Sequence, residues 1–327
     1  MKGQKSFDEL KGSRDETLLV TGGAGFIGSH LVESLVARGY SVKVLDILSR
    51  GTLQYIKPLI DTGKVEYIDG DIRYKDVVDK TMKNVDYVFH MASTNINRSI
   101  AYPEESFDVN FRGSHVVFQS ALDHNVKKVI FSSSASVYGQ PKKLPMSEDD
   151  VPDPITPYCI SKLSSEYLLK FLSRQYDLKY IVLRYFNVYG LRQHTDAYYT
   201  SVILVFLQRL MNNLPPTILG SGEQSLDFIN VRDIVRANVV AMESDVENEI
   251  FNVGTGKLTT IKELAYMLLR ITGKDIQPIF EPRDTIVTER KADVEKAKEL
   301  LGFESQIDLM SGLREVVEDM KEHPERY

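Results

Sequence analysis

The sequence contains one cysteine, Cys159, and no tryptophan in 327 residues. A lone thiol cannot close an intrachain disulfide, so the fold must be held by its core. That scarcity suits a reducing compartment, and a cytoplasmic location is the expectation. Long apolar runs are also missing. The longest, near Val202–Leu207, falls far short of the ~20 residues needed to span a bilayer, so no membrane partner is expected. Residues 1–16 are polar and mixed in charge, unlike a signal peptide, and read as an extension ahead of the fold. Basic charge is not in excess. With 40 Lys+Arg against 46 Asp+Glu, the net charge of −6 gives no support to nucleic-acid binding. Apolar residues make up 43% and charged residues 26%, which argues against disorder, collagen or coiled coil. No repeats or low-complexity tracts appear, and no metal site is expected.

What is present is a rhythm. Strand-like runs at Leu18–Thr21, Val42–Leu45, Val65–Ile68, Tyr87–His90, Val129–Ser132 and Tyr180–Leu183 alternate with helical stretches. The helices fall at Ile27–Val36, Asp76–Met82, Val109–Leu122 and Tyr158–Tyr176. Strands alternating with helices predict an α/β fold, a doubly wound parallel Rossmann sheet. After Asn187 the cadence changes. Helices fit at Thr200–Met211, Val231–Met242, Ile261–Ile271 and Leu309–Met320, with short strands at Thr217–Leu219 and Ile250–Val253. The expectation is a dinucleotide-binding domain of residues 17–187 plus about 227–255. Residues 188–226 and 256–327 would then form a smaller α+β substrate-binding lobe.

Gly22, Gly25 and Gly28 follow the first strand and open a helix. Glycine serves where a turn is tight and backbone must approach a pyrophosphate, and the helix N-terminus offers free N–H groups to that anion. Phe26 and Ile27 lie in the same turn, and Asp46 ends the second strand 18 residues after Gly28. A carboxylate there accepts hydrogen bonds from a ribose 2′-OH and repels a 2′-phosphate, which selects NAD over NADP. Asp71, followed by Ile72, is placed at the end of the third strand, either to reach the adenine amino group or as an exposed turn carboxylate.

Tyr158 and Lys162 stand four apart at the start of a predicted helix and share one face. A free phenol is a poor base at neutral pH, and a neighbouring ammonium favours its phenolate. By itself the pair is common. Here it follows a serine-rich strand end, Ser132-Ser133-Ser134-Ala135-Ser136, with Ser134 24 residues before Tyr158. Strand ends at the carboxyl edge of such a sheet are where ligands bind. Cys159, beside Tyr158, reads as a packed small residue rather than a nucleophile.

These motifs together resemble the extended short-chain dehydrogenase/reductases, in the nucleotide-sugar epimerase/dehydratase branch. They are Thr21 to Gly28, Asp71-Ile72, Ser132 to Gly139, Tyr158 to Lys162, Arg184 to Gly190, Phe251 to Gly254 and Ala292-Asp293. The resemblance implies NAD as cofactor, with Ala92 and Ser132 adding to its site and Asn110 supporting the catalytic lysine. It implies Tyr158 as general base, Lys162 on the nicotinamide ribose and Ser134 on the sugar hydroxyl. Asn187 and Arg283 would contact the nucleoside diphosphate, and Arg192 would supply a phosphate or carboxylate contact or a surface salt bridge. The two helices Val109–Leu122 and Tyr158–Tyr176 would form a homodimer contact.

The implied chemistry is oxidation at C4 of a nucleotide-linked hexose. Relatives that dehydrate or decarboxylate the 4-keto sugar carry a carboxylate just after the catalytic Ser/Thr, where this chain has Ala135 and Ser136. That points to 4-epimerisation of a UDP-hexose, UDP-N-acetylhexosamine or UDP-uronate. A 4-dehydrogenase, 4-keto reductase or 4,6-dehydratase, and a non-catalytic NAD-binding interaction protein, are the alternatives. Leu226 and Ile286 stand where the family often has Arg and Asp, so the nucleotide is less defined than the redox step.

Overall fold

The computed structural model describes residues 15–193, 201–282 and 289–327. Its centre is a seven-stranded, all-parallel sheet. The strands are β1 (Thr17–Thr21), β2 (Ser41–Asp46), β3 (Val65–Asp69), β4 (Tyr87–His90), β5 (Lys128–Ser134), β6 (Tyr180–Tyr185) and β7 (Glu249–Val253). They lie in the order β7-β6-β5-β4-β1-β2-β3. The order reverses between β1 and β4, and a crevice forms where the two halves diverge.

Side-chain alternation assigns each strand residue to one of two layers. Leu18, Val20, Val44, Ile130 and Ile181 pack with Leu31, Leu35 and Ile234 from the helices Phe26–Ala37 and Val231–Glu243. Leu19, Leu45, Val88, Phe131 and Val182 face the other way, against Val117, Phe118, Leu169 and Leu172. Most of these side chains are fully buried, and each contributes about 2 kcal/mol of transfer free energy. Because both faces are covered, the strands read as apolar runs rather than as alternating patterns. A separate core of Leu204, Leu207, Leu264, Leu268, Leu313 and Val316 holds the helices Val202–Met211, Ile261–Thr272 and Leu309–Glu322 together.

The predicted strands and long helices stand within a few residues of their expected bounds. Ser201 caps the Val202–Met211 helix, and Thr200, the expected start, lies outside the described residues. The Val109–Leu122 stretch departs from a plain helix. Asp108–Gly113 is wound as a π-helical turn, and the α-helix proper runs Ser114–Asp123. Short helices at Ile96–Ala101, Pro103–Phe107 and Glu295–Leu301 have no counterpart in the sequence reading. Strand Asn187–Tyr189 pairs in parallel with Phe228–Asn230, which carries the chain from β6 toward the second half.

Candidate active site

Gly22 has φ +72, and a Cβ there would lie 2.9 Å from the Ala92 nitrogen. At Gly28 a Cβ would meet the Gly22 carbonyl oxygen at 2.1 Å. Only glycine lets the Phe26–Ala37 helix start this close to β1 and β4. Gly25 occupies the N-cap without a side chain, so the first amides of the helix face open space. Asp46 ends β2 with its carboxylate turned back, accepting from the Ala24 nitrogen (3.0 Å) and the Leu48 nitrogen (2.8 Å). Burial pushes its carboxyl up, and those two amides oppose the shift. This cradle fits a dinucleotide pyrophosphate and ribose without a further side chain at the turn.

The cleft above it measures about 970 Å³. Gly22, Gly25, Phe26, Ile27, Gly28, Asp46, Asp71, Ile72 and Ala92 line one part, and Ser132, Ser134, Tyr158, Lys162 and Asn187 another. The strand expected to end at Asp71 ends at Asp69. Asp71 sits in the next turn, held by Arg73 through Nε (2.9 Å to Oδ2) and Nη2 (2.5 Å). Arg73 also reaches Asp108 at 2.9 Å, so the Asp71 carboxylate is already shared and sits below the usual range despite burial that works the other way.

Thr156 caps the Pro157–Tyr176 helix, accepting from the Cys159 nitrogen at 3.3 Å, and Pro157 fills its first position. Tyr158 therefore stands in the first turn, where the helix dipole is positive. One turn on, Lys162 is buried. Its Nζ donates to the Ser132 carbonyl oxygen at 2.8 Å and lies 5.0 Å from the Phe131 ring and 5.8 Å from the Tyr158 ring. Burial lowers the lysine to about 7, and Glu166 acts in the opposite direction.

Ser134 ends β5 and caps a short helix, Ala135–Tyr138. Its oxygen accepts from both the Ser136 nitrogen (3.2 Å) and the Ser136 hydroxyl (2.9 Å). Two donors on that oxygen leave the Ser134 proton free to point into the cleft. Ser136 thus orients Ser134 from the position where a carboxylate would serve other chemistry.

Asn110 lies behind the cleft, in the π-helical turn. Its side chain accepts from the Thr94 nitrogen at 2.7 Å, and its carbonyl accepts from the Ser165 hydroxyl of the Tyr158 helix at 3.1 Å. It touches the lysine's helix, not the lysine. Asn187 donates to the Asp227 carbonyl oxygen at 3.1 Å, leaving its own side-chain oxygen available. Arg192 is elsewhere. It pairs with Glu33 at 2.8 Å and stacks on Tyr55, and it is not among the residues that line the cleft. Arg283 lies outside the described residues.

Three features escaped the sequence reading. Arg290 lines the cleft. Asp227, buried, accepts from Thr255, Gly256 and Ala292 nitrogens and fastens the end of β7 to the second half. Glu166, one turn beyond Lys162, forms a buried pair with Arg184 (2.6 Å) and accepts from the Ser133 hydroxyl. The i, i+4 spacing of Lys162 and Glu166 was the available signal for the last.

A doubly wound sheet with this glycine cradle, an acid closing β2 and a Tyr–Lys pair beside the end of β5 defines an extended short-chain dehydrogenase/reductase. The chain belongs to the NAD dependent epimerase/dehydratase family, whose model matches residues 18–254. Among solved structures it is similar to a UDP-glucose 4-epimerase from Thermotoga maritima with UDP-glucose. The identity is 39%, covering 94% of this chain and 99% of that one, with a TM-score of 0.87. A UDP-N-acetylglucosamine 4-epimerase from Methanobrevibacter ruminantium M1, in complex with UDP-N-acetylmuramic acid, is 35% identical over 94% and 99%, with a TM-score of 0.89. A UDP-N-acetyl-alpha-D-glucosaminuronate decarboxylase of Bacillus cytotoxicus is 34% identical over 93% of this chain and 97% of its own. The protein is an NAD-dependent enzyme.

Proposed function

We propose that the enzyme is a UDP-sugar 4-epimerase working through a transient 4-keto sugar. The observation that carries this reading is the environment of Ser134. Tyr158, Lys162 and Ser134 line the cleft together, while the adjacent Ala135 and Ser136 supply no carboxylate for elimination or loss of carbon dioxide.

Tyr158 takes the proton from the sugar 4-OH. The helix N-terminus, joined by Lys162 in its protonated form, favours the negative charge that this requires on its oxygen. Ser134, its oxygen already loaded by Ser136, donates to the sugar oxygen and fixes C4 against Tyr158. NAD, when bound in the glycine cradle, supplies the acceptor and later donor of hydride at C4. Tyr158 returns the proton once the sugar presents its other face. Asn187 contributes to the hold on the nucleotide, and Arg283 would do so from its position in the family pattern.

Residues 17–187 with about 227–255 form the cofactor domain in this reading, and the rest forms the substrate lobe. A homodimer is proposed through the helices that carry Phe107, Phe111, Tyr167 and Phe171, all exposed. Among the described residues no helix is long and apolar enough to cross a membrane, and cytoplasmic action is proposed.

Incubation with UDP-glucose, UDP-galactose, UDP-N-acetylglucosamine and UDP-glucuronate, with NMR of the products, tests the reading. C4 epimers should form without a rise in NADH absorbance, and Tyr158→Phe should lower turnover about 10²–10⁴-fold. Accumulating NADH, a deoxygenated C6 or released carbon dioxide would refute it. Solution mass at micromolar concentration tests the dimer.

A further inference from the structure

Arg290 lines the cleft, and the reaction above leaves it without a task. It lies on the short strand Glu289–Arg290, which pairs with Ser225–Leu226. Its backbone is pinned on both sides: the Arg290 carbonyl accepts from the Asp227 nitrogen at 3.0 Å, and the Lys291 carbonyl accepts from Met146 at 2.8 Å. The guanidinium is half-buried, and desolvation pushes it below the usual arginine range.

Among the described residues no carboxylate lies within salt-bridge distance of it. Among those residues its guanidinium makes one hydrogen bond, from Nη2 to the Gly139 carbonyl at 3.2 Å. Nε and Nη1 are not sealed in protein, and the side chain lines the cleft. Two other cleft arginines are neutralised within the protein, Arg73 by Asp71 and Asp108, and Arg98 by Glu105. A partly desolvated guanidinium held by one Nη2 bond, with one donor edge left for a ligand, is a receptor for a planar anion.

The position selects which anion. Gly139, which Arg290 holds, closes the short helix that Ser134 opens. Arg290 therefore belongs to the Ser134–Tyr158 part of the cleft, where the sugar C4 must sit. In a hexopyranose, C6 hangs from C5, next to C4. The diphosphate hangs from C1, across the ring.

Resting on the 4-epimerase reading, we propose that Arg290 binds the C6 carboxylate of the sugar, so that a nucleotide-linked uronate is preferred over a neutral hexose. A neutral CH₂OH at C6 leaves the guanidinium to water, whereas a carboxylate accepts from it bidentately.

The experiment compares holoenzyme and its Arg290→Met and Arg290→Lys variants on UDP-glucuronate and UDP-glucose, with binding titrations of both sugars and of UDP. The native enzyme should favour the uronate in kcat/KM by about tenfold or more. Arg290→Met should cut the uronate-to-glucose ratio by the same factor, Arg290→Lys should restore part of it, and uronate affinity should fall more than UDP affinity. Equal losses on both sugars, or a fall in UDP affinity as large as that for the uronate, would overturn the proposal. Turnover of neither sugar would refute the epimerase reading alone. The titrations would then decide on Arg290, supporting it if uronate binds tighter than UDP-glucose only in the native protein. Carbon dioxide release from a preferred uronate would likewise refute epimerisation and support Arg290.

Discussion

Replacing Lys162 by methionine is expected to stabilise the protein while inactivating it. The side chain is buried, and among the described residues its ammonium has one protein oxygen, the Ser132 carbonyl, within hydrogen-bond distance. Burial lowers the lysine from 10.5 to about 7. That gap corresponds to about 5 kcal/mol of differential free energy between the protonated and neutral forms. The sign follows from proton counts. Between about pH 7 and 10.5 the unfolded chain holds a proton here that the folded chain has released, so this residue makes stability rise with pH across that window. At pH 6 nearly the whole penalty is present, whereas at pH 9 about 2 kcal/mol of it remains. Methionine forfeits the bond to Ser132, about 1 kcal/mol, and fills similar volume. The variant should therefore exceed the native protein by about 3–4 kcal/mol at pH 6 and by about 1 kcal/mol at pH 9. Urea unfolding of both proteins without nucleotide, at the two pH values, measures this directly. Equal differences at pH 6 and 9 would show that Lys162 does not titrate in the window. A less stable variant at pH 6 would show that the fold pairs the ammonium better than the Ser132 carbonyl alone allows.

Gly28→Ala should abolish NAD binding and lower the melting temperature, because its Cβ meets the Gly22 carbonyl at 2.1 Å; calorimetric titration with NAD and a thermal melt check both. Asp46→Ala should raise the relative affinity for NADP over NAD by about 10–100-fold, read by titrating each nucleotide, since the carboxylate that repels a 2′-phosphate is gone. Asp227→Ala strands four donors, the Thr255 nitrogen and hydroxyl and the nitrogens of Gly256 and Ala292. It should cost about 3–5 kcal/mol in urea unfolding, against near-neutral effects for an exposed helical acid such as Glu299.

The parts legible in the sequence are those where a short stretch carries its own reason. Gly22, Gly25 and Gly28 announce a turn that only glycine permits, and strands covered on both faces appear as apolar runs at βα spacing. The illegible parts depend on partners distant in sequence. For Arg192 the sequence leaves an anion contact and a salt bridge open, because its partners Glu33 and Tyr55 come from the first helix and the stretch after β2. Arg290 looks like one more basic residue in a polar tail until β-pairing with Ser225–Leu226 brings it to the cleft. The π-helical turn at Asp108–Gly113 leaves the apolar spacing of its helix nearly intact, so periodicity passes over it. The two short helices before it contain mostly polar residues split by Pro103, and Arg98 and Glu105 join across the break.

That π-helical turn receives a chain of hydrogen bonds whose direction is fixed from Thr21 to the Asn110 carbonyl. The Ser114 hydroxyl donates to the Asn110 carbonyl at 2.5 Å, so toward His90 it can only accept, and His90 Nε2, 2.8 Å away, must carry the ring proton. His90 Nδ1 is then an acceptor and takes the Thr21 hydroxyl proton at 2.7 Å. Thr21 Oγ1 in turn accepts from the Met91 and Ala92 nitrogens, both at 3.2 Å, where β4 gives way to the cofactor cleft. A doubly protonated His90 would face Thr21 with a second donor and break the sequence. Burial, with the nearby Lys162 charge, lowers the imidazole to about 3, so it stays neutral wherever the protein folds. The chain ends at the Asn110 carbonyl, which also lies 3.1 Å from the Ser165 hydroxyl, a donor shared with the Ser161 carbonyl at 2.9 Å, so the glycine turn at Thr21 is joined to the helix bearing Tyr158 and Lys162. Cofactor cradle and proton-transfer pair are thereby held in one register by groups that never touch the substrate, which is why His90 serves position rather than acid–base chemistry.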